Sequence, residues 1–363
     1  MKIAKNWLVF YRLGITLMLL IGASAIHAET KYNGVNLAGA DFGFDTLPGV
    51  FGTHYTYPTH EEVDYFTAKG MNIFRLPFRW ERIQNTQNGP LNVLELARIK
   101  DFVNYATSKQ ASVLLDPHNY ARYYGEVIAK DGDAGALPIA AFTDFWTKMS
   151  LEFKDNDKVI FGLMNEPYDM SSELWRDDAN AAIAAIRATG AKNLILIPGN
   201  AWSGAHSWND NGYGTPNGTV MQSITDSENN YAFEVHQYLD SDSSGTSTEC
   251  VSETIGSERL VEFTNWLKQH NEKGFLGEFA GGNNSRCLNS LDNMLDYMDT
   301  NADVWLGWTY WAAGPWWGDY IYTLEPDNGV DRPQMAILLK HISSTPSSST
   351  MIPSLMQILL LDD

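Results

Sequence analysis

Basic residues are scarce in this sequence: 25 lysines and arginines stand against 44 aspartates and glutamates, and the net charge is −19. Such a charge repels phosphate backbones and anionic lipids, so it excludes nucleic acids and membrane surfaces as main partners. The sequence also lacks a His-Glu-x-x-His string, and no Gly-x-Gly-x-x-Gly opens a helix after the first predicted strand. These absences weaken two classes, a metal-dependent hydrolase and a dinucleotide-binding sheet.

Cysteine is equally rare, with only Cys250 and Cys287 in 363 residues. Two cysteines this far apart make no metal site by themselves. In an exported protein a lone pair most simply forms a disulfide, and two buried thiols are the alternative. Export is itself predicted by the N-terminus. Lys2, Lys5 and Arg12 precede or flank an apolar run at residues 13–21, and small residues then lead to Ala28.

This N-terminal pattern predicts a signal peptide over residues 1–28, removed to leave a secreted protein, although Ile26 fits the −3 position of the cleavage rule poorly. A membrane anchor is the alternative, but the apolar run is shorter than the roughly 20 residues that a span requires. At the other end, residues 343–363 begin with a Ser/Thr-rich stretch typical of a linker. We therefore expect one catalytic domain over residues 29–342, a linker-like tail and a monomer.

Apolar, β-rich segments alternate with segments of helical periodicity along the chain. Eight predicted strands cover residues 34–37, 71–77, 112–117, 159–164, 193–198, 231–235, 274–277 and 304–308. Predicted helices between them cover residues 59–69, 92–109, 139–153, 172–189, 257–271 and 290–300. Eight such repeats predict an α/β fold, the (β/α)8 TIM barrel, and a doubly wound sheet is the competitor.

Polar and aromatic residues stand where six of the predicted strands end, which is the face of a barrel where chemistry assembles. Glu166 follows the fourth strand in Asn-Glu-Pro, and Glu278 follows the seventh in Gly-Glu-Phe. Two carboxyl groups brought to one rim are the pair that glycoside hydrolysis needs. Arg75 beside Glu278 would lower the pKa of that carboxyl group, and a Tyr238 hydroxyl would donate to it. Glu278 is then the nucleophile and Glu166 the acid/base, with Asn165 holding a sugar 2-hydroxyl.

Taken singly, these residues have plainer interpretations, because Arg75 could be a buried ion-pair partner and His118 or His236 a core histidine. Taken together and in order, they resemble glycoside hydrolase family 5, in its cellulase branch. The similarity covers about residues 34–342, and the stretches 277–282 and 311–320 look like those of the subfamily that includes fungal endoglucanases. The residues that carry it are Arg75, His118, Asn165, Glu166, His236, Gln237, Tyr238, Glu278 and Trp311.

The resemblance implies an endo-β-1,4-glucanase that retains anomeric configuration and uses neither a metal nor an organic cofactor. It also implies that Glu166 is the acid/base, that Glu278 is the nucleophile, and that a disulfide joins Cys250 to Cys287. Arg75 and Tyr238 would contact the nucleophile. The attacked sugar would be lined by His118, Asn165, His236 and Trp311.

Four further tryptophans, which follow the fifth and eighth strands, are predicted to stack on sugar faces: Trp202, Trp208, Trp316 and Trp317. An aromatic core is the alternative for each. Stacking of an indole ring on a sugar face does not distinguish a glucan from a mannan. β-Mannan, xyloglucan and mixed-linkage glucan therefore remain alternative substrates, and a non-catalytic carbohydrate-binding protein remains an alternative class.

Overall fold

The computed structural model describes residues 30–128, 137–212 and 214–342. The predicted signal peptide (residues 1–28) and the predicted tail (residues 343–363) lie outside these residues. Among the described helices, none combines the length and the apolar character that crossing a membrane would require.

Eight parallel strands form a closed barrel, which confirms the predicted fold. Parallel strands joined by helices bury both faces of the sheet, and this is why the predicted strands are almost continuously apolar. A separate two-stranded hairpin within residues 122–127 lies in the loop after the third barrel strand. The strands are β1 (Tyr32–Leu37), β2 (Ile73–Phe78), β3 (Ser112–Pro117), β4 (Arg122–Tyr123), β5 (Glu126–Val127), β6 (Val159–Gly162), β7 (Ile195–Pro198), β8 (Tyr231–His236), β9 (Gly274–Glu278) and β10 (Trp305–Ala313).

Helices cover the outside of the barrel, and several begin at side chains that cap free backbone amides. Thr59 and Glu62 form a reciprocal capping box at the helix that begins at His60, and Asn92 caps the helix that begins at Val93. The helices are α1 (His60–Ala68), α2 (Trp80–Ile83), α3 (Val93–Ser108), α4 (Ile139–Phe153), α5 (Ser172–Ala188), α6 (Asn217–Val220), α7 (Ile255–His270), α8 (Ser285–Thr300) and α9 (Pro333–Leu338).

Two predicted boundaries were wrong by several residues. Helix α8 begins at Ser285 rather than at residue 290, because the side chain of Asn284 accepts a hydrogen bond from the Cys287 amide and starts the helix there. Strand β10 continues to Ala313 rather than ending at residue 308. Its last residues stay paired with β1, so Trp311 belongs to the strand itself.

The barrel has two apolar layers. The larger one lies between the strands and the helices, and a smaller one fills the inside of the barrel. The inner layer consists of Ile73, Leu114, Ile160, Leu196, Ala232 and Phe275. Side chains alternate along a strand, so residues two positions further on point inward above this layer. Those positions form the floor of the candidate site.

Candidate active site

The strand ends place charged side chains directly above the inner apolar layer. On β2, Arg75 follows Ile73 by two residues, and on β8 Glu234 follows Ala232 in the same way. Gly277 leaves the space that Glu234 needs, because a Cβ at this glycine would lie 2.0 Å from a Glu234 carboxylate oxygen. The pairing of β8 with β9 shifts register before His236, which pairs with Glu278.

Glu278 is almost fully buried and is held as a carboxylate by several donors. Its Oε1 accepts a hydrogen bond of 2.9 Å from Nη1 of Arg75, and its Oε2 accepts one of 2.7 Å from the Tyr238 hydroxyl. Burial alone would raise the pKa of Glu278, but the positive charges of His236 and Arg75 and the Tyr238 hydrogen bond outweigh it and lower the pKa. The carboxyl group is therefore ionised, and the two hydrogen bonds fix its orientation.

Arg75 holds this group of charges together and has no solvent exposure. Its Nε lies 3.0 Å from Glu234 Oε1, and its Nη2 lies 3.1 Å from Asp116 Oδ2. The same Nη2 donates to the Asn165 side-chain oxygen at 2.8 Å. A guanidinium presents its donors in a fixed plane, so Arg75 sets the relative positions of these side chains. It is an ion-pair partner of Glu278 and an anchor for the neighbouring acids.

Glu166 is partly accessible and sits in an unusual backbone conformation, with a φ of 41°. Left-handed backbone at a residue other than glycine costs free energy and occurs often at functional sites. Burial raises the pKa of Glu166 and the Glu278 charge adds to this, although the hydrogen bond from His236 opposes it. A raised pKa keeps the proton that a general acid must donate. The two glutamates thus differ in the direction in which their surroundings shift them.

His236 lies between the two acids. Its Nδ1 is 2.6 Å from Oε1 of Glu166 and 3.5 Å from Oε2 of Glu278, and its Nε2 is 3.5 Å from Glu234. Burial would lower the pKa of His236, but the surrounding carboxylates outweigh it and raise the pKa to about 10. The ring is therefore protonated, donates a hydrogen bond to Glu166 and forms an ion pair with Glu278.

One donor atom from each of Glu166, His236 and Glu278 lies within 4.8 Å of the others, a grouping that could hold a metal ion. A metal ligand must be unprotonated, and the raised pKa of His236 opposes this. The same geometry also fits proton transfer and covalent catalysis, which two carboxyl groups carry out without a metal ion.

A second group of side chains is linked to Arg75 through Asn165 and offers aromatic faces beside polar groups. The His118 and Trp311 rings are stacked with centroids 5.5 Å apart, and Asn165 Nδ2 lies 3.2 Å from His118 Nε2. Asp116 accepts from His118 Nδ1 at 2.8 Å and fixes the orientation of that ring. An indole with neighbouring amide and imidazole groups can stack on a sugar and bind its hydroxyls.

Known proteins resemble this chain in sequence. Residues 35–314 match the family model Cellulase (glycosyl hydrolase family 5). The chain belongs to glycosyl hydrolase family 5. It is 44% identical over 303 residues to endo-beta-1,4-glucanase B of Aspergillus niger, which covers 82% of this chain and 86% of that protein.

Solved structures of family 5 give the same picture. The endo-beta-1,4-glucanase Xac0029 from Xanthomonas axonopodis pv. citri is 49% identical with a TM-score of 0.83, covering 86% of this chain and 98% of that one. A structure of XacCel5A in complex with cellopentaose is 50% identical with a TM-score of 0.83, covering 86% and 99%. The resemblance to family 5 and the barrel fold predicted from the sequence are confirmed.

Of the four tryptophans predicted to form outer subsites, two are openly accessible in this family 5 chain. Trp202 is 44% exposed and lines a cavity of about 420 Å³ together with Glu166 and His236. Trp316 is 42% exposed, and Trp317 is half-buried against Phe42 and Trp311.

Trp208 is a correction to the prediction. It has no solvent exposure and packs edge-on against Phe233, Phe263 and Trp266, between β8 and α7. The loop after β7 turns back into the outer apolar layer at this point, so Trp208 stabilises the fold and does not reach the cleft.

The structure adds site residues that the sequence interpretation did not assign a role. Asn36 accepts from Arg75 Nη1 at 2.9 Å, while Asp116 and Glu234 pair with the same guanidinium. Tyr120 lines the cavity near Glu166. The signal for Glu234 was present, because it stands two residues before His236 on one strand and therefore points to the same side.

The predicted disulfide between Cys250 and Cys287 is confirmed. It joins the loop after β8 to the first turn of α8. The loop after β8 also carries Ser243 and Ser244, which line the cavity. The disulfide therefore ties one wall of the cleft to the outer helices.

Proposed function

We propose that this protein is an exported endo-β-1,4-glucanase that cleaves internal bonds of β-glucans with retention of configuration. The observation that carries the mechanism is the spacing of the two glutamates, whose oxygens approach within 4.8 Å. Retaining glycosidases place their carboxyl groups about 5 to 5.5 Å apart, whereas inverting enzymes leave room for a water molecule at about 6.5 to 9.5 Å. The opposite pKa shifts of Glu166 and Glu278 support unequal roles for them.

In the first half of the reaction, the ionised Glu278 attacks the anomeric carbon and forms a glycosyl ester. Glu166 donates its proton to the glycosidic oxygen, so the leaving sugar departs as a neutral alcohol. Arg75 and Tyr238 keep Glu278 unprotonated and aimed before the attack. We assign His118, Asn165, His236 and Trp311 to the sugar that is attacked, with His236 at the point where this sugar meets Glu166.

In the second half, Glu166 is a carboxylate and removes a proton from the incoming water, which attacks the ester carbon and releases Glu278. The protonated ring of His236 stabilises the negative charge that alternates between the two glutamates. Because each of the two displacements inverts the configuration at the anomeric carbon, the complete reaction retains it.

The assignment of a β-1,4-glucan as the substrate has two supports. The relatives are named as endo-β-1,4-glucanases, and one similar structure was solved in complex with cellopentaose. A test is the release of reducing ends from carboxymethylcellulose, β-mannan, xyloglucan and mixed-linkage glucan. We expect carboxymethylcellulose or mixed-linkage glucan to be cleaved fastest, and no turnover by Glu278→Ala. Faster cleavage of mannan would reject the glucan assignment, and sugar binding without turnover by the wild type would favour the non-catalytic class. Activity that EDTA abolishes and a metal restores would reject the cofactor-free mechanism.

Export is part of the same proposal: residues 1–28 act as a cleaved signal and residues 343–363 as a linker-like tail. The predicted N-terminus, the acidic charge and the disulfide support it. N-terminal sequencing of the protein recovered from culture medium should begin after Ala28. Recovery of the intact N-terminus in the membrane fraction would favour an anchor instead.

A further inference from the structure

An arginine and two aromatic rings form a continuous stack at the edge of the cleft. The indole of Trp202 lies parallel to the phenol of Tyr168, with centroids 5.1 Å apart and an interplanar angle of 9°. The guanidinium carbon of Arg122 lies 3.9 Å from the centroid of the same phenol ring. Two groups this close cannot share one face of a ring, so Arg122 and Trp202 enclose Tyr168 from opposite sides.

The stack is anchored at both ends by the backbone. Nη1 of Arg122 donates to the carbonyl oxygens of Tyr120, at 2.6 Å, and of Tyr168, at 3.2 Å. The amide of Trp202 donates to the carbonyl oxygen of Pro167 at 3.1 Å, and the φ angle of Trp202 is 56°, which commits its backbone to an unusual turn. Because Pro167 directly follows Glu166, the stack is attached to the segment that carries the proposed acid/base.

The exposed indole is on the leaving-group side of the site. Trp202 and Glu166 line one cavity of about 420 Å³, and the lining of that cavity does not include Glu278. Glu166 is the group that protonates the departing oxygen, so a sugar that occupies this cavity is the leaving sugar. Trp311 and His118 stack on each other and do not line that cavity, and they are the residues assigned to the attacked sugar.

We propose that Arg122 and Tyr168 are positioning residues of the leaving-group subsite. They hold Trp202 as a fixed platform for the departing sugar and thereby favour oligosaccharide substrates over substrates with a small leaving group. This inference rests on the proposed function. Arg122 belongs to β4, so the short hairpin after β3 gains a role that the barrel itself does not require. A cation stacked on an aromatic face stabilises that arrangement, and the planar guanidinium keeps the phenol from tilting.

The test compares two substrates of Arg122→Ala. Cellopentaose places a sugar in the cavity, whereas β-cellobiosyl fluoride releases an ion that fills no sugar site and needs no proton. We expect kcat/KM for cellopentaose to fall about 5- to 30-fold, the range that a partly buried cation–π contact supports. For the fluoride we expect a change of less than about 2-fold. Equal losses on both substrates, or no loss on either, would overturn the proposal.

Matched variants separate stacking from general damage. Tyr168→Phe keeps the ring and should stay within about 2-fold of wild type on both substrates, while Tyr168→Ala should repeat the selective loss. Adding Arg122→Ala to Trp202→Ala should cause no further loss on cellopentaose if Arg122 acts through Trp202, and an additive loss would contradict this. If Arg122→Ala does not fold, Arg122→Lys takes its place, because lysine keeps the charge without the planar guanidinium. Its loss of kcat/KM on cellopentaose should be smaller, again without a loss on the fluoride. Wild-type rates on both substrates would overturn the proposal. A wild-type enzyme inactive on both substrates would reject the proposed function instead.

Discussion

The Nδ1 of His236 lies 2.6 Å from a carboxylate oxygen of Glu166 and 3.5 Å from one of Glu278. One protonated ring therefore contacts both proposed catalytic groups. Its charge lowers the pKa of each, so it contributes to the ionisation of the nucleophile while it opposes the protonation of the acid. The difference between the two glutamates must come from groups that contact only one of them, and Arg75 and Tyr238 contact Glu278.

Replacing His236 should move both limbs of the pH profile. Activity requires an ionised Glu278, which is lost as pH falls, and a protonated Glu166, which is lost as pH rises. His236→Asn removes a positive charge from both, so both pKa values rise and both limbs of kcat/KM should shift to higher pH by about 1 unit or more. His206→Asn is the control, because His206 lines the same cavity and bonds to Gln237. An unchanged acidic limb would show that His236 does not act on Glu278.

Replacing Tyr238 should move one limb only. Tyr238→Phe removes the 2.7 Å hydrogen bond to Glu278. The pKa of Glu278 then rises, so the acidic limb should shift to higher pH while the basic limb stays, and kcat should fall about 10- to 100-fold. Tyr322→Phe is the matched control, since Tyr322 stacks on Tyr238 and its hydroxyl donates to the Ser247 carbonyl instead. A shift of the basic limb in Tyr238→Phe would assign the hydroxyl to Glu166.

Removing Arg75 should destabilise the fold in a pH-dependent way. Arg75→Met leaves Glu278, Asp116 and Glu234 buried without their shared cation, at a cost of about 3 to 5 kcal/mol in the free energy of unfolding at pH 7. The pKa values of Glu278 and Asp116 are lowered in the folded protein, so their stabilisation is present at neutral pH and is lost as pH falls. The difference in unfolding free energy between wild type and Arg75→Met, measured by urea unfolding, should therefore become smaller below about pH 4.

A control for Arg75 is available elsewhere in the barrel. Arg187, in the last turn of α5, forms a buried pair with Asp226, with Nε 2.7 Å from Oδ1. Arg187→Met should also destabilise the protein while the folded enzyme keeps its kcat. Loss of kcat in both variants would mean that the activity of Arg75→Met reports stability and not the site.

Trp202 and Trp208 should respond oppositely to truncation. Trp208→Ala leaves a cavity in the core and should cost about 3 to 5 kcal/mol of stability with little change in KM for the folded enzyme. Trp202 is 44% exposed, so Trp202→Ala should change stability by less than about 1 kcal/mol and raise KM for cellulose oligomers. Urea unfolding and oligomer kinetics on the same preparations check both. A raised KM in Trp208→Ala alone would restore the predicted subsite role.

The fold and the candidate catalytic pair were predictable because each depends on local pattern. An apolar run that ends at Glu166 or Glu278 identifies both the buried strand and the residue at its end. Because the strands are parallel in one barrel, the topology then places both glutamates at the same rim. Trp208 was placed wrongly because its position depends on how the loop folds back onto Phe233 and Phe263, contacts far away in sequence. The residues next to Trp208 in the sequence do not indicate these contacts.

The positioning residues were harder to predict for a related reason. Asp116 and Glu234 stand inside strands, where a single acid only interrupts an apolar pattern, and their role appears once Arg75 is placed between them. Arg122 lies in the short hairpin after β3 and Tyr168 in the loop after β6, and only the three-dimensional stack connects them to Trp202. Such residues act through geometry that the linear pattern does not encode.

The most direct test of the central claim is covalent trapping of the nucleophile. A 2-deoxy-2-fluoro-β-cellobioside with an activated leaving group forms the glycosyl ester quickly and hydrolyses it slowly, because the fluorine destabilises both transition states. Mass spectrometry of the digested protein should find one added fluorocellobiosyl group, on the peptide that contains Glu278, and none in Glu278→Gln. A label on Glu166, or turnover that retains configuration without any label, would contradict the assignment.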